Sequence, residues 1–304
     1  MNPAGSSARS DLRLVARRLS PPLIAVHGGA GAGHRPAELV SAGLRAALAA
    51  GWSALTAGSG ALDAVVAAVV AMEDSGTFNA GRGAVPTTAG TVETDAAVMG
   101  ALPDGRVVSG GGCAMTWPAN PVLAAREVAR AGDALLLAGA GADRFAESVG
   151  LVRVDPGSLT GGQPGQAVSS AGTVGAVALD GVGVLAAATS TGGRRGQPSG
   201  RVGDSPIVGA GTWAEQARVA ISATGDGEAF VRAGFAHLID WSVGAGAPLV
   251  EASRAAFDAV ARWGGSGGAI LLGADGELVV AHDAPAMARG WRSTTETVAE
   301  LDRR

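Results

Sequence analysis

One polar, glycine-rich segment interrupts this otherwise apolar chain and constrains its fold more than any other feature. Residues 151–172 include the runs Asp155-Pro156-Gly157-Ser158 and Gly161-Gly162-Gln163-Pro164-Gly165, which cannot contribute to a core, so we predict a flexible linker. An apolar strand pattern resumes at once at Thr173. Long structureless stretches inside a domain are uncommon and usually have a function, so the junction at residue 173 is the first place to look for chemistry.

Strand and helix patterns occur in grouped pairs on both sides of this linker. We predict strands at residues 23–27, 91–99, 106–115, 134–138, 173–179, 184–191, 219–223, 269–272 and 277–281. We predict helices at residues 36–50, 61–72, 121–131, 142–149, 227–240 and 249–263. Strands this apolar need cover on both faces, so the grouping favours two stacked sheets with a helical layer outside each. Such sheets also favour an oligomer.

The composition excludes several kinds of chemistry. All 23 basic residues are arginines and the chain contains no tyrosine, so a P-loop lysine, a Schiff-base lysine and a tyrosine acid are impossible. A net charge of −4 with 16% charged residues gives no sign of a nucleic-acid face. The four histidines lack metal-ligand spacing, and the single cysteine, Cys113, lies in an apolar run typical of a buried structural thiol.

Residues 1–21 are polar and contain proline, serine and arginine. They lack the unbroken apolar core of a signal peptide, because Arg13, Arg17 and Arg18 interrupt residues 12–19. No run reaches the roughly 18 apolar residues of a membrane span. We therefore expect a disordered N-terminal extension on a cytoplasmic protein that has a small-molecule partner and no membrane or nucleic-acid partner.

Two motifs suggest other enzymes but lack the required context. The glycines of residues 28–33 resemble a dinucleotide-binding loop, but His34 stands where a further glycine or alanine is needed. Gly264-Gly265-Ser266-Gly267-Gly268 matches a nucleophile elbow and is followed by Asp275 and His282. However, the elbow needs a strand before its serine, whereas this serine follows a predicted helix. We interpret both motifs as loops.

Thr173 is the remaining candidate nucleophile, because a threonine that becomes an N-terminus can use its own α-amine as the base. Such an amine titrates at about pH 8, so much of it is neutral at working pH. Glycine at position 172 leaves the preceding carbonyl unhindered and tolerates a strained geometry. On spacing alone two interpretations of Thr173 are open: self-cleavage between Gly172 and Thr173, or an ordinary strand threonine.

A hairpin over residues 173–191 brings a second threonine to this position. If Asp180-Gly181-Val182-Gly183 forms a four-residue turn, residue 179 faces residue 184 and Thr173 lies opposite Ser190. This register predicts that Thr191 lies beside the candidate nucleophile.

The segments around Thr173 resemble the plant-type asparaginase and isoaspartyl peptidase family, whose members are N-terminal nucleophile hydrolases of the threonine type. The resemblance spans residues 23 to about 292 in the family's order. It is carried by the runs Ile24-Ala25-Val26-His27-Gly28-Gly29-Ala30-Gly31, Phe78-Asn79-Ala80-Gly81-Arg82-Gly83, Gly172-Thr173-Val174-Gly175-Ala176-Val177-Ala178, Ala188-Thr189-Ser190-Thr191-Gly192-Gly193, Gly200-Arg201-Val202-Gly203-Asp204-Ser205-Pro206 and Ala223-Thr224-Gly225-Asp226-Gly227-Glu228.

The resemblance implies an α+β fold, a four-layer αββα sandwich of the N-terminal nucleophile hydrolase type. It implies that a precursor matures into an α subunit, residues 22–172, and a β subunit, residues 173–304, which remain one αββα domain and pair as (αβ)₂. The implied activity is hydrolysis of β-aspartyl (isoaspartyl) dipeptides, of L-asparagine, or of both. A glycosylasparaginase with a roomier leaving-group pocket, and a non-catalytic relative that keeps the fold, are the alternatives.

Residue roles follow from the same match. Thr173 corresponds to the nucleophile, and Thr191 to the threonine that orients its amine and hydroxyl. Thr224 and Gly225 correspond to the oxyanion site, where a hydroxyl and a backbone N–H meet the developing negative charge.

The resemblance also supplies candidates for substrate binding. Arg201 and Asp204 correspond to a clamp for the substrate's α-carboxylate and α-ammonium, which suits a bidentate guanidinium and an accepting carboxylate; a structural salt bridge between them is the alternative. Gly225 and Gly227 correspond to positions whose backbone helps bind the substrate. Asn79 corresponds to a residue near the nucleophile, with a buried turn asparagine as the alternative.

No cofactor is required by this chemistry. The resemblance implies a structural sodium ion held by main-chain carbonyl groups, those of Met72, Glu73, Ser75, Phe78, Ala80 and Arg82. Carbonyl sites leave no side-chain signature, so the ion is an expectation from the resemblance alone.

Overall fold

Two β-sheets and seven α-helices form the protein in the computed structural model, which describes residues 11–33, 35–159 and 172–304. The described strands are β1 (Arg13–Arg18), β2 (Leu23–Ala30), β3 (Thr94–Ala101), β4 (Val107–Met115), β5 (Leu136–Ala138), β6 (Val174–Leu179), β7 (Leu185–Thr191), β8 (Thr212–Glu215), β9 (Val219–Gly225), β10 (Gly267–Gly273), β11 (Glu277–His282), β12 (Ala286–Arg292) and β13 (Thr297–Arg303). The described helices are α1 (Ala37–Thr56), α2 (Ala61–Asp74), α3 (Pro121–Ala131), α4 (Gly139–Ser148), α5 (Gly227–Ala233), α6 (Phe235–Gly244) and α7 (Leu249–Arg262).

The larger sheet has eight strands in the order β13-β12-β2-β6-β7-β3-β4-β5, and the smaller sheet has five in the order β1-β11-β10-β9-β8. Neighbouring strands pair antiparallel, except that β4 and β5 are parallel. The chain is thus a mixture of helices and largely antiparallel sheets, as the grouped pattern predicts.

Alternation along the strands divides the buried residues among three cores. In β2, Ile24 packs towards the first four helices, whereas Ala25 packs towards the smaller sheet. A third core joins β9, β10 and β11 to α5, α6 and α7, with Phe230 and Phe257 at its centre. Fully burying such a side chain contributes about 1.5–3 kcal/mol, far more than an exposed ion pair at about 0–1 kcal/mol. Apolar contacts therefore hold the layers together.

α1 shows how the sequence pattern produces this packing. Its buried side chains include Val40, Leu44 and Leu48, four residues apart on one face of the helix. This face contacts β2, β12 and β13. Of the described helices, α1 alone is long and apolar enough to cross a membrane by length and composition, but its contacts with the sheet are those of a core helix.

The parts of the chain before and after residue 172 are interleaved within both sheets. In the larger sheet, β2 lies between β12 and β6, and β3 pairs with β7. In the smaller sheet, β1 pairs with β11 along its whole length. Hydrogen-bonded ladders therefore join the two halves at four strand boundaries.

The prediction that residues 1–21 form a disordered extension is wrong for residues 11–21. Residues 13–18 form β1, an edge strand paired from Arg13 with His282 to Arg18 with Glu277. Leu14 packs against the outer helices and Val15 against the core between the sheets. The arginines that interrupt the apolar pattern are tolerated because this is an edge strand, where charged residues remain in water. Residues 1–10 lie outside the described residues.

The predicted flexible linker over residues 151–172 is wrong for its first part. Val154 donates its backbone N–H to Trp117 (3.1 Å), and a short 3-10 helix follows at Pro156–Leu159. Leu159 is fully buried against Ala84 and Val92. One well-placed leucine anchors a segment whose composition is that of a loop. Residues 160–171 lie outside the described residues.

Three further differences concern element boundaries. The predicted helix at 227–240 is two helices, because Gly234 takes a left-handed conformation with φ of 57°. Strand β8 was not predicted, because four residues are too few to show a pattern. Strands β12 and β13 were not predicted either, because Arg289 and Glu300, paired across them at 2.8 Å, break the apolar pattern.

Candidate active site

The β6–β7 hairpin places Thr173 beside Thr191. Val174 pairs with Ser190, and the same register carried one residue further puts Thr173 opposite Thr191. Side chains alternate between the faces of a strand, and Val177 and Leu185, at odd-numbered positions, face the smaller sheet. By this alternation both threonines face the space between the two sheets.

The predicted register was wrong by one residue because the turn is longer than predicted. Asp180 Oδ1 accepts hydrogen bonds from the backbone N–H groups of Val182 (3.0 Å) and Val184 (2.9 Å). Leu179 therefore pairs with Leu185 rather than with residue 184. The prediction that Thr191 lies beside Thr173 is confirmed, and more directly than the predicted register allowed.

A cavity of about 220 Å³ lies at this end of the hairpin. It is lined by seven of the residues predicted from the sequence: Gly172, Thr173, Thr191, Arg201, Asp204, Gly225 and Gly227. Thr224 and Asn79 are buried and are not part of its lining. The cavity thus collects the candidate nucleophile and the candidate substrate clamp.

Thr173 is buried, and its Oγ1 lies 3.4 Å from Ser205 Oγ. Ser205 was not predicted as a site residue, although it directly follows Asp204. Thr191 Oγ1 accepts a hydrogen bond from the N–H of Gly193 (3.0 Å), which leaves its own proton for another acceptor. The expected Thr191–Thr173 hydrogen bond is not among the contacts of these two residues. Before cleavage the nitrogen of Thr173 is a peptide nitrogen, so the free amine that Thr191 is expected to orient is not yet present.

The peptide before Thr173 lies against the loop that follows β2. Gly172 has φ of 84°, and a Cβ added there would lie 2.1 Å from the Cα of Gly29. Gly29 has φ of 102°. A larger residue at either position would collide with backbone atoms, so glycine at position 172 is required by space as well as by conformation.

Arg201 and Glu228 form a bidentate ion pair in the cavity wall. Arg201 Nε donates to Glu228 Oε1 (3.1 Å) and Arg201 Nη2 to Glu228 Oε2 (3.0 Å). These hydrogen bonds lower the pKa of Glu228 to about 2. The alternative interpretation, a structural salt bridge between Arg201 and Asp204, is wrong, because the guanidinium pairs with Glu228 instead.

Two buried polar atoms in and behind this wall lack a protein partner among the described residues: Asp204 Oδ2 and Thr224 Oγ1. Burial raises the pKa of Asp204 to about 7. Buried polar atoms nearly always have a hydrogen-bond partner. Orphan atoms at two predicted ligand-binding positions therefore suit a ligand that supplies an ammonium group for Asp204 and an oxygen acceptor for Thr224.

Glycine leaves room for neighbouring atoms at the two predicted backbone-binding positions. A Cβ on Gly227 would lie 2.7 Å from Asp204 Oδ1 and 3.2 Å from Arg201 Nη2. Gly225 has φ of 147°, and a Cβ there would lie 2.4 Å from the carbonyl oxygen of Ser266. The absence of side chains keeps both backbones accessible from the cavity.

Asn79 fixes the turn that follows Thr191. Its Nδ2 donates to the carbonyl of Gly193 (2.7 Å), and its Oδ1 accepts from the N–H of Val85 (3.1 Å). Its own carbonyl accepts from the N–H of Gly192 (2.9 Å). The structure agrees with the alternative interpretation of Asn79 as a buried turn residue that supports the site from behind.

A buried polar network between the sheets was not predicted. His27 Nε2 and Ser222 Oγ share a hydrogen bond of 2.9 Å, and Ser222 Oγ and Thr189 Oγ1 share one of 2.7 Å. Thr212 Oγ1 lies 2.6 Å from Thr189 Oγ1. Burial lowers the pKa of His27 to about 3, against the opposing effect of the Thr173 backbone. The available signal was polar residues at inward-facing positions of otherwise apolar strands.

The loop expected to hold sodium lies outside the cavity lining. The carbonyl of Met72 accepts from Ser75 Oγ (2.8 Å), that of Phe78 from the N–H of Ala80 (2.9 Å), and that of Ala80 from the N–H of Gly83 (3.0 Å). Each of these oxygens retains a second lone pair. Carbonyl oxygens are ligands that suit hard cations, so the chemistry of these donors is compatible with such an ion.

Two other candidate nucleophiles have structural roles. The Ser266 N–H donates to Asp226 Oδ2 (2.8 Å) in a loop. Both ring nitrogens of His282 have other partners, Nδ1 the carbonyl of Ala284 (3.0 Å) and Nε2 Asp302 Oδ2 (3.0 Å). Cys113 is buried as predicted, and burial raises the pKa of its thiol to about 12. Neither an esterase triad nor a reactive thiol is formed.

Comparisons with known proteins agree with this site. A family model described as Asparaginase matches residues 20–164 and 160–300. An isoaspartyl peptidase of Escherichia coli strain K12 is 39% identical, over 90% of this chain and 94% of its own. A protein of Rattus norvegicus named isoaspartyl peptidase/L-asparaginase is 38% identical, over 91% of this chain and 85% of its own. A protein of Homo sapiens with the same name is 37% identical, over 85% of this chain and 89% of its own. Matched over most of its length in each case, the chain belongs to the asparaginase family.

Proposed function

We propose that this protein is a self-cleaving amidohydrolase that uses Thr173 to hydrolyse the β-aspartyl amide bond of isoaspartyl dipeptides, of L-asparagine, or of both. The observation that carries this proposal is the convergence of Thr173, Thr191, Arg201 and Asp204 on one cavity. The names of the relatives, isoaspartyl peptidase and isoaspartyl peptidase/L-asparaginase, point to the same chemistry.

Maturation begins when Thr173 Oγ1 attacks the carbonyl carbon of Gly172. The C–N bond between the two residues breaks, and the acyl group moves to the hydroxyl oxygen as an ester. Water hydrolyses this ester, which releases the Gly172 carboxylate and frees the amine and hydroxyl of Thr173. Glycine at positions 172 and 29 lets the two backbones lie against each other, which keeps the Gly172 carbonyl free of side chains that would hinder the attack.

Hydrolysis then uses the new N-terminus. Arg201 binds the α-carboxylate of the aspartyl group and Asp204 its α-ammonium, which carries the β-carbonyl to Thr173. The free amine removes the hydroxyl proton as Thr173 Oγ1 attacks, while Thr224 Oγ1 and the N–H of Gly225 stabilise the oxyanion. The leaving amine departs, and water hydrolyses the acyl-threonine to release aspartate.

The proposal includes several finer features. The fold is a four-layer αββα sandwich of the N-terminal nucleophile hydrolase type, which the two sheets and three cores support. The chain up to residue 172, with β1 included, and residues 173–304 form the two subunits, which pair as (αβ)₂ in the cytoplasm without a nucleic-acid or membrane partner. A sodium ion on the carbonyl groups of residues 72–82 stabilises the loop that carries Asn79. No cofactor takes part in the reaction.

Glycosylasparaginase activity is the second candidate, with the same nucleophile and a larger leaving group. The relatives described above are not named for that activity, and no contact in the cavity favours a sugar. The isoaspartyl reading is therefore the better supported of the two.

Self-cleavage is the most direct test of this function. On a denaturing gel the purified protein should separate into two fragments, and sequencing of the smaller should begin at Thr173. Thr173→Ala should stay whole and lack activity because it has no hydroxyl. Thr173→Ser keeps the hydroxyl and should cleave slowly. A wild-type chain that stays whole after long incubation, or a Thr173→Ala chain that cleaves, would refute the mechanism.

A further inference from the structure

A second guanidinium lines the active-site cavity and has no role in the proposed mechanism. Arg194 is exposed and belongs to the cavity lining. Its side chain makes no hydrogen bond or ion pair with any of the described residues. Arg201, in contrast, donates two hydrogen bonds to Glu228, from Nε and from Nη2. Arg194 is thus a free cation at the site where substrate enters.

The backbone that carries Arg194 is held firmly beside the reacting groups. Its own N–H donates to Gln197 Oε1 (2.8 Å), and Gln197 is buried. The preceding residue, Gly193, donates its N–H to Thr191 Oγ1 (3.0 Å) and accepts from Asn79 Nδ2 (2.7 Å). The side chain of Arg194 therefore starts from a fixed point in the cavity wall.

The charge of Arg194 acts inside the cavity. The hydrogen bonding of Arg201 is the main cause of the lowered pKa of Glu228. The positive charges of Arg201 and Arg194 lower this pKa further. Glu228 nevertheless directs both carboxylate oxygens to Arg201. Arg194 therefore remains available to an anion that the protein itself does not supply.

The charges of the cavity match those of an isoaspartyl dipeptide. Such a dipeptide has one ammonium group and two carboxylates, one on the aspartyl group and one on the leaving amino acid. Asp204 and Arg201 account for the ammonium and the first carboxylate, and an arginine is well suited to a second carboxylate. Asparagine releases ammonia and has no second carboxylate. We propose that Arg194 binds the carboxylate of the leaving amino acid, an inference that rests on the proposed function. This contact makes isoaspartyl dipeptides the preferred substrates over L-asparagine.

Three substrates and two variants of Arg194 separate the contribution of this side chain from that of the rest of the site. The substrates are β-Asp-Leu, its amide β-Asp-leucinamide, which lacks the second carboxylate, and L-asparagine. In the matured wild type, kcat/KM for β-Asp-Leu should exceed that for the leucinamide about tenfold, the size of one charge-assisted hydrogen bond to a carboxylate. Arg194→Gln should remove this preference while leaving the other two substrates within about twofold. Arg194→Lys should retain part of it.

Arg195→Gln is the matched control, because Arg195 is the adjacent exposed arginine and does not line the cavity. It should leave the preference unchanged. Because Arg194 is exposed and its side chain has no hydrogen-bond or ion-pair partner among the described residues, the Arg194→Gln protein should fold normally. Equal losses on all three substrates, or an unchanged preference in Arg194→Gln, would overturn the inference while the proposed function stands. A matured wild type that hydrolyses none of the three would overturn both.

Discussion

Thr189 and Thr224 are both buried, but their hydroxyls differ in whether they have hydrogen-bond partners. Thr189 Oγ1 lies within hydrogen-bond distance of Ser222, of Thr212 and of the carbonyl of Gly211. Thr224 Oγ1 has no partner among the described residues. An unsatisfied buried polar group costs about 1–3 kcal/mol, and Thr224 Oγ1 would carry this cost until a ligand supplies an acceptor. A role in stabilising a developing negative charge would explain that cost.

Valine keeps the shape of threonine and removes its hydroxyl, so it tests this difference. We expect Thr224→Val to be at least as stable as the wild type, because an unsatisfied group is removed, and to lose about 10²–10³ of kcat. Thr189→Val, the matched control, should lose about 1–3 kcal/mol of unfolding free energy, because Ser222 and Thr212 lose a partner. Denaturant unfolding and steady-state kinetics measure these values. Equal destabilisation of both variants, or full activity of Thr224→Val, would contradict this account.

At the scale of elements, one buried carboxyl joins three of them close to the site. Glu73, near the end of α2, accepts hydrogen bonds at Oε1 from Ser190 Oγ in β7 (2.6 Å) and from the N–H of Val122 at the start of α3 (3.0 Å). Ser190 lies between Thr189 and Thr191. Burial raises the pKa of Glu73 to about 8, against the opposing effect of these hydrogen bonds.

This shift predicts the direction of a pH effect on stability. The folded pKa lies above the ordinary value of 4.5, so the protonated carboxyl stabilises the fold and this contribution is lost as pH rises through about 8. Between pH 6.5 and 8.5, the Tm of Glu73→Gln should therefore fall less than that of the wild type. His27 affects stability only below pH 6.5, because its pKa is lowered from that value.

Glu38→Gln, which changes an exposed carboxyl on α1, is the control and should follow the wild-type pH curve. The same pH slope in Glu73→Gln and the wild type would show that Glu73 is ionised throughout this range.

Local signals predicted the elements well where burial was uniform and failed where one side chain decided the outcome. The apolar runs of β6 and β7 identified the hairpin, but a single carboxylate, Asp180, lengthened its turn and shifted its register. The linker and the hairpin identified Gly172, Thr173 and Thr191. The resemblance added Arg201, Asp204, Gly225 and Gly227, and all seven residues line one cavity. It did not supply the His27 network or the Glu228 pair with Arg201, because these depend on which distant strands and loops become neighbours.

For the whole molecule, cleavage after residue 172 should not release a fragment. The ladders between the two halves at β2, β3 and β1 remain after one peptide bond is cut. We expect the matured wild type and the uncut Thr173→Ala variant to elute at the same volume in size-exclusion chromatography, and the fragments to separate only in denaturant. Loss of the smaller fragment under native conditions would contradict the interleaved sheets.

The position of β2 also sets an order for the biogenesis of the protein. A gene split at codon 173 would yield one polypeptide with a gap between β12 and β6 and another with an unpaired β2, and exposed strand edges of this kind invite aggregation. In a continuous precursor β2 is already tethered when its neighbours form. Gly29, next to the end of β2, meets Gly172 only once that strand is in place. The proposed cut would therefore be made only by a chain in which β2 already lies in the sheet.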